Sequence, residues 1–192
     1  MERTGAIALL EEFVSNQNLV RHMLAVEASM EDYAKRYDED ATQWGLAGLL
    51  HDFDWEIHPT LDKHPQEGAH ILRERGISEE IVTCILSHAD HTGVPRETLM
   101  QRALYACDEI TGLITAVALV RPSRSILDVK PKSIRKKWKD TRFAANVSRE
   151  DIANGTEALG VELPVHIENV LSSMKRIAPE LGLAGAHDTD TA

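Results

Sequence analysis

The stretch GLAGLLHDFDWEIHP (residues 45–59) decides how the chain is read. Its first half is an apolar run. Its second half sets His51, Asp52, Asp54, Glu56 and His58 close together. Burying an unpaired ionised group costs several kcal/mol on an order-of-magnitude scale. A core helix ending this way therefore either surfaces into solvent or delivers ligands to a metal.

Outward from this stretch the signals are helical, and period-two alternation is scarce. Residues 4–15 read as a short helix. Asn16 or Asn18 caps a second, running through Leu19, His22, Met23, Val26 and Met30. Residues 39–52 form the third. HPQEGAHILRERG (64–76) has helical spacing and a terminal Gly. Ser78 caps a helix over 79–89, with Glu in the capping-box region. A turn at Gly93-Val94-Pro95 leads into a long helix, about 95–120, that ends at Pro122. Ser148 caps a further helix, and Pro164 opens the last, to about residue 181. The fold class expected is all-α, a compact helical bundle. We expect a single domain over 1–182, with a metal-site core at about 15–120 and a helical extension over 121–182. A small, polar and disordered tail is expected over 183–192.

Composition narrows the function. Of 192 residues, 43% are apolar, enough for a sizeable core, and the formal net charge is −10. A chain this acidic is not a nucleic-acid binder as a whole, though a metal or a local basic cluster can still draw an anionic substrate. Cys84 and Cys107 lie in apolar helical stretches and read as reduced core residues. The first residues are too short and acidic for a signal peptide, and no apolar run reaches the ~18 residues of a membrane span. The expectation is a cytoplasmic protein with no membrane partner.

Read in order, His22, His51-Asp52, His64, His88 and Asp108 give gaps of 29, 12, 24 and 20 residues. Each member falls on a different expected helix. A bundle can converge inward side chains from facing helices on metals in its core. Read separately, these residues need several buried polar sites, each with its own partner. One metal centre satisfies them all. Imidazole and carboxylate without thiolate suit Fe, Mn, Co, Ni or Zn.

This order resembles the HD-domain superfamily of metal-dependent phosphohydrolases, named for the adjacent His-Asp doublet in the pattern H…HD…D. His22, His51-Asp52 and Asp108 match that pattern, over about residues 15–120. His64 and His88 match the two added histidines of the dinuclear members. The resemblance implies that Asp52 bridges two divalent transition metals. His22, His51 and Asp108 would complete one site, and His64 and His88 the other. It also implies hydrolysis of a small phosphate ester, or a nucleotide, by a hydroxide held between the metals. One departure stands out. Many members follow the doublet with Ile-Gly-Lys, whereas this chain has Phe53-Asp54-Trp55 and so lacks that Lys as a phosphate contact. The same ligand set also serves HD-type oxygenases similar to myo-inositol oxygenase, in which two irons activate dioxygen. A third class is a module that keeps the metal for structure or senses a nucleotide.

Other residues are weighed beside this set. His91, three residues after His88, could replace it as ligand or act as a proton donor; His88 is preferred because it lies inside the helix. Asp54 or His91 could protonate the leaving oxygen. His70 reads as a surface residue and His58 as a loop residue. His166 and His187 lie outside the motif and receive no role. Segment 121–142 carries nine Lys and Arg against Asp128 and Asp140. Its simplest reading is a solvated face. Its functional reading is an anion-binding segment that folds back, with Lys130 and Lys132 meeting the small anionic substrate.

Overall fold

The computed structural model describes residues 1–185. Its helices are α1 (Arg3–Phe13), α2 (Gln17–Arg36), α3 (Ala41–Leu50), α4 (Gln66–Glu74), α5 (Glu79–Ser87), α6 (Leu99–Leu119), α7 (Pro131–Trp138), α8 (Arg149–Leu159) and α9 (Leu163–Arg176). Short 3-10 turns occupy Asp90–Thr92 and Ile126–Asp128. No strand occurs among the described residues, only one antiparallel bridge between Ser125 and Ala184. The class is all-α, as the periodicity predicts.

Local chemistry sets the helix starts. Asn16 accepts from the Asn18 amide at 2.9 Å, Asp40 from Thr42 at 2.8 Å, and Ser148 from Asp151 at 3.1 Å. Each satisfies an amide that has no partner inside its helix. Two boundaries differ from expectation. The long helix begins at Leu99 rather than 95, because Thr98 and Gln101 form a reciprocal capping box after Pro95. The last helix ends at Arg176, short of 181, and residues 177–182 continue as turns. Ser78 holds the expected cap position, but its side chain makes no capping bond.

Helix α2 lies at the centre, packed against α3, α6 and α9, while α8 packs on α6. Gly48 lets α3 approach closely: a Cβ there would stand 2.9 Å from the Glu27 backbone. Below that contact Arg3 donates to both Glu27 oxygens, at 2.6 and 2.8 Å, so this buried carboxylate is paired. His166, left without a role by the sequence, is fully buried. Its Nε2–H donates to the Ala106 carbonyl at 2.8 Å, so its Nδ1 accepts from the Tyr33 hydroxyl. It ties α9 to α6 and α2.

The basic segment does fold back, held by buried Ile126, Val129 and Ile134 against α6 and α9. Residues 183–185, expected to open a disordered tail, are fixed instead. Leu183 is buried and its carbonyl accepts from the Ile126 amide at 2.8 Å. The rest of that expected tail, 186–192, lies outside the described residues. No helix among the described residues is long and apolar enough to cross a membrane.

Candidate metal centre

Five elements or their ends deliver the site. His22 comes from α2 and Asp108 from α6. His51 caps the C-terminal end of α3, with Asp52 next to it, and His88 caps that of α5. His64 precedes α4. Their donor atoms form two groups, His22–His51–Asp108 and Asp52–His64–His88, within each of which all donors lie within 4.8 Å of one another.

Asp52 joins the groups. Its Oδ2 lies 3.7 Å from His22 Nε2 and 3.5 Å from His51 Nε2. Its Oδ1 lies 3.3 Å from His64 Nε2 and 3.5 Å from His88 Nε2. Asp108 Oδ1 is 3.1 Å from His22 Nε2 and 3.5 Å from His51 Nε2. Donors about 2.0–2.1 Å from a cation stand about 2.9–3.4 Å apart for octahedral to tetrahedral angles. The observed separations fit such an ion in each group.

The outer partners fix the imidazoles. His51 Nδ1 donates to the Gly48 carbonyl at 2.8 Å, and His88 Nδ1 donates to that of Ile85. His64 Nδ1 donates to Asp54 Oδ1 at 2.8 Å. Thr111 donates to the Asp108 carbonyl at 2.8 Å, so its hydroxyl oxygen accepts from His22 Nδ1 at 3.2 Å. All four rings thus hold a proton outward on Nδ1 and turn Nε2 inward, the nitrogen whose lone pair a metal would take. Inward nitrogens approach as closely as 3.2 Å across His22–His51 and 3.4 Å across His64–His88. Such lone pairs repel unless a cation or a proton lies between them.

Electrostatics agrees. Burial alone would push His51 and His64 down, but the neighbouring carboxylates outweigh it and raise both to about 9. Burial would raise Asp52 and Asp108, yet the facing imidazoles hold both well below the usual carboxylate range. Positive charge is therefore strongly favoured at this point of the fold.

Asp54 is not placed to protonate a leaving group. It is fully buried behind His64, and its second oxygen accepts from the Gly68 amide at 3.1 Å. A Cβ at Gly68 would stand 2.5 Å from the Asp54 carboxyl carbon, so α4 makes room for it by having none. His91 is not in either donor group. Its Nε2–H donates to the His64 carbonyl at 2.8 Å, which spends that proton on the backbone. Lys130 and Lys132 do not line the cavity over the centre, because the buried apolar anchors of their segment leave both side chains in solvent. His70 is exposed. Glu56 accepts from the Ser15 and Asn16 amides at 2.9 and 3.0 Å, tying the loop after the doublet to the α1–α2 junction.

The cavity over the centre encloses about 490 Å³. Its walls include Trp55, whose ring stands edge-on to His64 at 4.9 Å, and Tyr105, whose hydroxyl donates to Asp151 at 3.1 Å. Glu109 lines it too. Burial, then the adjacent Asp108, pushes Glu109 up to about 7. The sequence reading missed Glu109, Tyr105, Asp151 and Thr111. Thr111 stands one turn after Asp108, a spacing that could have exposed it; Asp151 comes from α8 and left no local signal.

A helical bundle that gathers four imidazoles and two carboxylates into a paired metal centre defines a metal-dependent enzyme of the phosphohydrolase type. The HD domain family model matches residues 19–113, a span holding all six donors. Residues 19–113 are an HD domain and place this part of the chain in the HD-domain superfamily. Comparison with curated proteins and with solved structures gives no significant match.

Proposed function

We propose that the protein hydrolyses a small phosphate ester at a dinuclear centre held by His22, His51, Asp52, His64, His88 and Asp108. The observation that carries this reading is the orientation of the four rings, each donating outward through Nδ1 and facing Asp52 through Nε2. Divalent cations bound there would supply Lewis acidity toward phosphoryl oxygens and an acidified water as nucleophile. Asp52, which turns one oxygen toward each group, would hold both ions. Asp54 orients His64, and Thr111 orients His22. Trp55 and Tyr105 flank the space the ester occupies. With Asp54 and His91 engaged elsewhere, Glu109 lines the cavity beside Asp108; one of its oxygens accepts from the Ser148 amide at 3.0 Å, and we assign the other the proton for the leaving oxygen.

Metal analysis of protein purified without chelator, paired with hydrolysis of a panel of phosphate monoesters, tests this. Two equivalents of Mn, Co, Ni, Zn or Fe per chain with phosphate release is the expected result. Asp52→Ala should lose both ions and all turnover, while His70→Ala retains both. Two irons with dioxygen consumption and no phosphate release would replace hydrolysis by oxygenation.

A further inference from the structure

The cavity over the metal centre is lined by Asp52, Asp90, Asp108, Glu109 and Asp151 and, among the described residues, by neither a Lys nor an Arg. A second cavity, of about 770 Å³, adjoins it and shares His22 and Gly112 as wall. Its character is opposite. Arg21 and Arg124 line it, and no carboxylate among the described residues does. In a chain with 31 acidic and 21 basic residues, a hollow lined by two guanidiniums and by no described carboxylate is unexpected. Arg3, Arg73, Arg75, Arg96 and Arg176 all have a carboxylate within salt-bridge distance. Among the described residues Arg21 and Arg124 have none, like Arg36, Arg102, Arg121, Arg135, Arg142 and Arg149, but of these eight it is Arg21 and Arg124 that line the hollow.

The hollow is built rather than incidental. Arg21 comes from α2, one residue before His22. Arg124 comes from the turn after α6 and sits at φ 50°, a left-handed conformation that costs a non-glycine residue energy. The facing wall is the turn after α9. Leu183 NH donates to the Ala178 carbonyl at 2.9 Å, and Ser125 Oγ to the Ala184 carbonyl at 3.0 Å. Gly182, at φ 66°, completes it. A Cβ there would stand 3.1 Å from Arg21 Cζ, so the guanidinium lies against bare backbone. Leu119 and Leu183 give the same hollow an apolar side.

We propose that Arg21 and Arg124 form an anion-binding subsite for a second charged group of the substrate, a phosphate or carboxylate carried beyond the reacting ester. This rests on the function proposed above. Guanidinium groups suit it because their planar donors match both oxyanions in bidentate geometry. The apolar side accommodates the organic body between the two charges. The subsite also supplies the positive field that the doublet's missing Lys, and Lys130 and Lys132 outside the cavity's lining, do not.

The test is calorimetric titration of inorganic phosphate, then succinate, into the full chain before and after chelator treatment. The chelated wild type should still bind phosphate. Arg21→Gln/Arg124→Gln should weaken that binding at least tenfold, while Lys139→Gln leaves it unchanged. Circular dichroism checks each variant's fold, and if the double variant does not fold, the exposed Arg124→Gln and the charge-keeping Arg21→Lys decide. Arg124→Gln should weaken binding severalfold, and so should Arg21→Lys, which keeps the charge but loses the paired planar donors. Succinate competing as well as phosphate identifies a carboxylate group, and its failure to compete identifies a phosphate. Absence of phosphate binding in the chelated wild type, or equal binding by the variants, overturns the subsite. Loss of binding in the variants, with no hydrolysis of any monoester by metal-loaded wild type, would instead keep the subsite and remove the hydrolase.

Discussion

At the scale of single residues, Asp54 shows how a charge can serve a metal site without touching it. Its two oxygens are spent on His64 Nδ1 and on the Gly68 amide. It therefore fixes the tautomer of one ring and strengthens that ring as a ligand. Losing such a partner typically costs 10- to 100-fold in metal affinity. Asp54→Ala should weaken the His64–His88 ion by about that factor while the His22–His51–Asp108 ion holds, since those donors have other partners. Competition titration against a metallochromic chelator reads the two affinities separately. A uniform loss at both sites would mean that Asp54 supports the whole centre. Glu109→Gln, by contrast, should lower kcat for esters with poor leaving groups by about 10²-fold or more with both ions retained. Esters with good leaving groups should be little affected, and equal losses on both would deny Glu109 the proton.

At the scale of elements, helix ends do most of the positioning. His51 and His88 sit at C-terminal caps, where their Nδ1 atoms reach the last-turn carbonyls of Gly48 and Ile85. Helix α4 depends on a missing side chain. Gly68→Ala would drive a methyl into the Asp54 carboxyl carbon, 2.5 Å away, and overpacking of this kind costs about 1–3 kcal/mol. Thermal unfolding of Gly68→Ala should show that loss, and the His64–His88 ion should weaken with it. A variant as stable as wild type that binds both ions normally would show that α4 can shift freely. The same elements separate what was legible in the sequence from what was not. The caps of α2 and α8 and the apolar faces of α2 and α6 are local signals. Histidines and aspartates inside such apolar helices stand out, and their order suggested one centre. Helix α7 left no apolar period, because Ile134 is its one fully buried residue among lysines and arginines. The fates of Asp54, His91 and Lys130 depend on groups from other elements: the Gly68 amide, the His64 carbonyl, and the anchors Ile126 and Val129. No spacing along the chain reports those.

At the scale of the whole molecule, the titration of the buried imidazoles ties folding to metal loading. His166, hemmed in between Tyr33 and Ala106, is driven down to about 4 by burial. A depressed imidazole favours proton uptake by the unfolded chain, so stability falls as pH drops from about 6.5 toward 4. His51 and His64 run the other way in the metal-free protein, raised to about 9 by Asp52 and its neighbours. Their protonated forms stabilise the fold fully below about 6.5, and that contribution is lost as pH rises through 9. A metal ion needs the same Nε2 atoms neutral, so binding must expel those protons. Affinity should therefore climb between pH 6.5 and 9. The metal-free protein loses stability over that interval while the loaded protein replaces the lost protons with cations. The rise in Tm on adding saturating Mn or Zn to chelated protein should then be several degrees larger at pH 9 than at pH 6.5, since about 1 kcal/mol shifts Tm by roughly 2–8 °C across domain sizes. Scanning calorimetry at the two pH values measures it, with proton release followed by titration in two buffers of different ionisation enthalpy. An equal gain in Tm at both, with no protons released at pH 7, would show that the inward imidazoles are already neutral and that the carboxylates carry the negative charge of the centre alone.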